Sequence, residues 1–169
     1  MEADIEWLLH ALGSLYNAQG KLAQAEEMYM RALKGYEKAL GADHTSTLDT
    51  VNNLGLLYRD QGKLAQAEEM YMRALKGREK ALGADHTSTL GTVNNLGLLY
   101  ADQGKMQEAE AMYTRALEGY RNVEGNHEAD VEYLQEQLEA LRIGGGVPNS
   151  HLKGELRSQT DKDFADLAG

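Results

Sequence analysis

The sequence predicts an all-α helical-repeat solenoid closed by a C-terminal capping helix, on three observations. Val51-Asn-Asn-Leu-Gly-Leu-Leu-Tyr58 returns unchanged as Val93-Asn-Asn-Leu-Gly-Leu-Leu-Tyr100, a spacing of 42 residues. Residues 19–50 match residues 61–92 at every position except Tyr36/Arg78 and Asp49/Gly91. Each unit holds two apolar patterns of helical period, separated by a glycine. A unit of one helix pair leaves an apolar face uncovered, so it makes physical sense only stacked on about three or more of its kind.

In the second copy, Leu48, Val51, Leu54, Gly55 and Tyr58 share one face of a first helix, expected from about Thr45 to Gln61. Gly62 stands where a helix C-cap takes a left-handed residue, and Gly20 and Gly104 repeat it. The second helix starts at about Lys63 and carries Leu64, Ala67, Met70, Tyr71, Ala74 and Leu75 as its apolar stripe. Gly83 ends it, and Asp85, Thr87 and Ser88 offer oxygens to cap the next helix. Gly55, Ala67 and Ala74 are small where helices must approach, and Tyr58 and Tyr71 fill the space beside them. The first copy is degenerate and reads Leu9-His-Ala-Leu-Gly-Ser-Leu-Tyr16.

After Gly125 the register slips by one residue, and a last helix is expected over 128–142. Val131, Leu134, Leu138 and Leu141 form its apolar face, with Glu132, Glu136 and Glu139 outside, as a solvating cap requires. The repeat domain thus spans residues 1–142, with repeats at about 3–42, 43–84 and 85–125. Residues 143–169 read as a flexible, Gly-containing linker and an acidic tail. Thr160 to Asp163 there resembles a capping box ahead of Phe164 and Leu167, a short helical turn or a disordered terminus.

Composition narrows the function. There is no cysteine, which removes disulfides, thiolate zinc sites and thiol nucleophiles. A net charge of −10 opposes nucleic-acid binding, and residues 127–169 alone hold 9 acidic against 4 basic side chains. No apolar run reaches membrane-span length and no secretory pattern opens the chain, so a cytoplasmic setting is expected. His44, His86 and His127 recur at one loop position. Copies in neighbouring repeats lie a helix layer apart, about 10 Å, too far to share a metal, so a turn role is expected. Met28/Met30 and Met70/Met72 are assigned to packing, and Glu26-Glu27 and Glu68-Glu69 to exposed surface. No nucleophile, base and orienter stand at workable spacing, so neither an enzyme nor a cofactor is expected.

Leu54-Gly55, Tyr58, Ala67, Tyr71 and Ala74 resemble the tetratricopeptide pattern. The longer unit, with Asn-Asn-Leu-Gly and a Leu-Gly-x-Asp-His turn, is similar to the 42-residue repeats of kinesin light chains and of fungal repeat arrays. Val51 stands where the pattern has a leading Trp, and Glu79 where it has a Pro. The resemblance implies a right-handed solenoid and a protein-interaction scaffold that binds an extended peptide along the concave face of its first helices. Carried over by position, that face holds Asp49, Asn52, Asn53, Leu56, Arg59 and Asp60 in the second copy. In the third it holds Asn94, Asn95, Leu98 and Asp102, and in the first Trp7, His10, Ala11, Ser14 and Asn17.

Asparagine suits such a groove because an amide both donates to and accepts from a main chain; alternatively these amides bond only to neighbouring helices and water. Arg59 stands among Asp49, Asp60 and Asp102, so the ligand's charge stays open. Two further expectations concern the ends. The uncovered face of the first helix, entered through Trp7 and Leu8, favours a homo-oligomer, which makes the array a self-assembling element or the repeat region of a larger signalling protein. Phe164 and Leu167 are candidates for a self-ligand placed in the groove.

Overall fold

The computed structural model describes residues 2–144, with side chains from Ile5 onward. The tail expectations at Thr160–Asp163, Phe164 and Leu167 lie outside the described residues. Seven helices follow one another: α1 (Glu2–Ala18), α2 (Leu22–Leu40), α3 (Thr45–Asp60), α4 (Leu64–Leu82), α5 (Thr87–Asp102), α6 (Met106–Asn122) and α7 (Glu128–Arg142). They form two compact units, Met1–Gly83 and a second that begins at Ala84. In the first, the hairpins α1/α2 and α3/α4 pack through α2 and α3; in the second, α7 packs on α6 of the hairpin α5/α6.

The glycine-marked turns have a common construction. Gly62 has φ +73°, and the chain reverses as Gly62 N–H donates to Arg59 O at 2.9 Å and Lys63 N–H to Tyr58 O at 2.8 Å. These bonds satisfy carbonyls that the end of α3 leaves open, and only glycine takes that φ without strain. The turns at Gly20 and Gly104 repeat it, and each following Lys ammonium lies over the aromatic ring five residues back, at 5.3–5.7 Å from its centroid.

The helix starts depart from expectation. The N-cap of α5 is His86 rather than Asp85, Thr87 or Ser88, and its Nδ1 accepts from Ser88 N–H at 3.1 Å. His44 does the same for Ser46 N–H at 3.2 Å. Imidazole reaches the orphan amide because the N-cap backbone is extended. His127 caps nothing: Asn126 Oδ1 accepts from Glu128 N–H, while the His127 ring lies 5.5 Å from Tyr120 and Nδ1 lies 3.5 Å from Asp130.

Close approach is built from missing side chains. A Cβ on Gly55 would lie 2.7 Å from the Tyr71 ring, and Gly13 with Tyr29 and Gly97 with Tyr113 repeat the pairing. Ala67, Ala74 and Tyr71 are fully buried, as the repeat pattern requires. The methionine pairs divide: Met28 is buried and Met70 partly exposed, but Met30 and Met72 are about half exposed at 48% and 49%, so of the four only Met28 belongs to the core. Met30 sulfur still meets Tyr58 Oη at 4.0 Å. Glu26 is likewise not free surface, because Gln61 Nε2 and Lys63 Nζ donate to its Oε2 at 3.0 and 3.1 Å, tying α2 to the α3–α4 turn. Burial pushes the Glu26 carboxyl up, but these donors outweigh it and hold its pKa below the ordinary value.

The cap helix α7 buries Leu134 and Leu138 and exposes Glu132, Glu136 and Glu139. Among the described residues no helix is long and apolar enough to cross a membrane.

Candidate binding face

The first-helix residues that the repeat pattern assigns to a groove do not share one environment. In α3, Asp49, Asn52, Asn53, Leu56 and Arg59 are partly exposed and Asp60 is exposed. In α5, Asn95 is partly exposed and Asp102 exposed, but Asn94 is fully buried and Leu98 only 2% exposed. Both amide atoms of Asn94 lack a hydrogen-bond partner. On α1, Trp7 is 48% exposed and His10 is buried.

A polar network joins three helices of the first unit. Thr50 Oγ1 donates to Ser46 O at 2.9 Å, so its contact with His10 Nδ1 at 2.9 Å must be one it accepts. The proton of neutral His10 is thereby placed on Nδ1, and Nε2 accepts from Asn53 Nδ2 at 3.2 Å. Ser14 Oγ donates to His10 O at 3.2 Å, which leaves the Tyr29 hydroxyl to donate to Ser14 Oγ at 3.0 Å. Burial lowers the His10 pKa from 6.5 against the opposing pull of Asp49. Burial also raises that of Tyr29, with its hydrogen bonds to Ser14 and Asn53 offsetting part of the effect. His10 and Asn53 thus meet each other. Nothing in the repeat spacing marks this, because His10 stands where the later copies carry Asn52 and Asn94.

The two positions at which the near-identical copies differ are spatially related. In the second copy the Arg78 guanidinium on α4 donates to Asp49 on α3, and Arg78 is buried while Asp49 stays partly open. The third copy has Gly91 and Tyr120 at these places, and the first has Trp7 and Tyr36. The copies therefore swap an ion pair for an aromatic with a small or aromatic partner. A buried Arg needs the carboxylate; a buried Tyr does not. Burial, followed by the charges of Glu6 and Asp49, raises the Tyr36 pKa, so Asp49 acts on α2 as well as α4.

Paired helices joined by tight glycine turns, with small residues facing tyrosines, define a helical-repeat protein, a class that generally mediates protein–protein interaction. The chain belongs to the tetratricopeptide repeat family, whose sequence profile matches residues 4–80, 49–122 and 88–145. Among solved structures it is similar to BtubC (BKLC) of P. vanneervenii, with TM-score 0.78 and 23% identity over 95% of this chain and 64% of that one. It is also similar to the nearly identical TPR-like repeats of a Podosopora anserina protein described as a kinesin light chain. That match has TM-score 0.73 and 20% identity over 83% of this chain and 66% of that one. The chain spans under two thirds of the length of each. No characterised protein matches it at the level of sequence.

Proposed function

We propose that this chain is a cytoplasmic scaffold that binds an extended peptide segment on the first-helix face of its repeats, and that it works by binding rather than catalysis. The observation that carries this reading is Asn53. It is partly exposed, with its amide already oriented by His10, on an α3 face it shares with Asp49, Leu56 and Asp60 at helical spacing. A pre-oriented amide loses little freedom when it pairs with a peptide main chain. In the second unit, Asn95 is the partly exposed counterpart on α5, whereas Asn94 and Leu98 are buried there and are not offered as ligand contacts.

A peptide selected from a displayed random library against the full chain tests the reading. Asn53→Ala with Asn95→Ala should weaken its binding about tenfold or more, the effect of losing one or two hydrogen bonds of about 1 kcal/mol each. Leu56→Gln should weaken it while leaving the His10 network intact. Unchanged affinity in both variants, with folding verified by urea titration, would remove the groove.

A second reading, self-assembly, is favoured by α1, where Ile5, Leu8 and Leu15 are 58%, 59% and 53% exposed.

A further inference from the structure

We infer that His10 is a positioning residue that fixes the Asn53 amide as a hydrogen-bond acceptor, so that the ligand group met at Asn53 is an N–H or O–H donor. This assignment rests on the peptide-binding reading of Asn53 above and gives that contact its polarity.

Each proton of the network is placed by a backbone carbonyl that can only accept. The Ser46 carbonyl takes the Thr50 hydroxyl proton at 2.9 Å, so Thr50 Oγ1 accepts from His10 Nδ1 at 2.9 Å, and the unprotonated Nε2 accepts from Asn53 Nδ2 at 3.2 Å. On the other side the His10 carbonyl takes the Ser14 proton at 3.2 Å, and Ser14 Oγ takes the Tyr29 proton at 3.0 Å. The hydrogen bond between Tyr29 and Asn53 is then one that Tyr29 accepts, and only Nδ2 of the amide can give it. Both Nδ2 protons are thus committed to the protein. Oδ1 sits on the other branch of the planar amide, and among the described residues no group donates to it. Asn53 is partly exposed, so the capacity it offers a ligand is that of an acceptor. A peptide carbonyl placed there would set two acceptors against each other, whereas an N–H completes the amide.

The same wiring makes the contact depend on one proton. A second proton on His10 turns Nε2 into a donor facing Nδ2, and the clash is relieved when the amide turns over. Oδ1 then faces the imidazolium, and Nδ2 confronts the ligand's donor. The titratable groups beside the ring are Tyr29 of α2, its ring centroid 5.5 Å away, and Asp49 of α3, whose charge favours the protonated ring against the effect of burial. Asp49 is itself paired with Arg78 of α4. Burial outweighs that charge, so the acceptor form is the one held at neutral pH. The later copies carry Asn52 and Asn94 at the place of His10 and have no such proton.

Long-range proton–nitrogen correlation spectra of the full chain at about pH 7.5 should show the neutral His10 ring protonated at Nδ1. A ring protonated at Nε2 would overturn the acceptor assignment without any ligand. The peptide selected from the displayed library tests the other side of the contact, resynthesised with each main-chain amide replaced in turn by an ester and each donor-bearing side chain by Ala. One replacement should weaken binding to the native chain about fivefold, the worth of one hydrogen bond, and have no further effect on Asn53→Ala. An ester at that place assigns the donor to the main chain, and an Ala assigns it to a side chain. If Asn53→Ala weakens the peptide but no replacement couples to it, the donor requirement falls and the groove stands. If Asn53→Ala changes nothing, the contact falls together with the reading built on it.

Two variants separate positioning from bulk stability. Native affinity should fall between about pH 7.5 and about pH 5.5. His10→Asn, whose amide reaches only the place of Nδ1, should weaken binding as much as Asn53→Ala does. His10→Gln, whose amide oxygen can stand where Nε2 does, should recover most of that loss and recover it without the pH dependence. A flat native profile, a fall that His10→Gln shares, or equal affinities in the Asn and Gln variants would overturn the positioning role.

Discussion

At the scale of the residue, His10 shows how one side chain changes what its neighbours do. Its Nδ1 proton is committed to Thr50 and its Nε2 lone pair to Asn53, so a second proton would set two donors against each other. Folding therefore favours the neutral ring, and burial lowers its pKa below 6.5. The unfolded chain then binds the proton more readily, so stability is fully present above the ordinary histidine value. It falls as pH drops through 6.5 towards the lowered folded value. Replacing His10 with Asn, the residue at both later copies, should remove that slope, which is at most about 1.4 kcal/mol per pH unit for one proton. Urea unfolding from about pH 7.5 to about 5.5 measures it. Equal slopes in the two proteins would show that another group carries the acid sensitivity. Sequence placed His10 on the right helix, but the proton assignment needed the positions of Thr50 and Ser46.

At the scale of the element, two glycines in one helix carry opposite meanings. Gly97 lies against Tyr113, and a Cβ there would sit 2.7 Å from the ring, whereas a Cβ on Gly91 would meet nothing within 4 Å. Gly91→Ala should stabilise the chain by about 0.5–1 kcal/mol through the lower backbone freedom it leaves the unfolded state. Gly97→Ala should destabilise it by about 1–3 kcal/mol, because a fully buried tyrosine must shift. Thermal unfolding of the two variants distinguishes them, and a loss of stability in Gly91→Ala would contradict the open space beside it. The recurrence of Gly55 as Gly97 made its packing role legible in the sequence. Gly91 has no copy, since Asp49 and Trp7 stand in its place, so only the surroundings of α5 reveal that it packs against nothing.

At the scale of the whole molecule, acidic side chains outnumber basic ones, 27 to 17. With a net charge of −10 and nine acidic side chains in the last 43 residues, the chain lacks the clustered cations that release counterions from a phosphate backbone. It should retard no DNA duplex in a gel-shift assay at about 0.1 M salt even at protein concentrations of tens of micromolar, well within the range of ordinary non-specific binding. A shifted band would mean that the chain concentrates its few lysines and arginines on one surface despite the overall balance.

Among the described residues, the sequence by itself determined the helix count, the turn positions, the tyrosine-to-glycine packing and the family, because each depends on local periodicity repeated at a fixed interval. Tertiary structure alone decided that His44 and His86 are caps, that Asn94 and Leu98 are buried and that His10 meets Asn53. It also decided that the two differences between near-identical copies reflect a single exchange of an ion pair. These contacts join residues up to 43 positions apart, and repetition hides them: the same side chain in successive copies meets different neighbours, and what it meets decides whether it packs, pairs or binds.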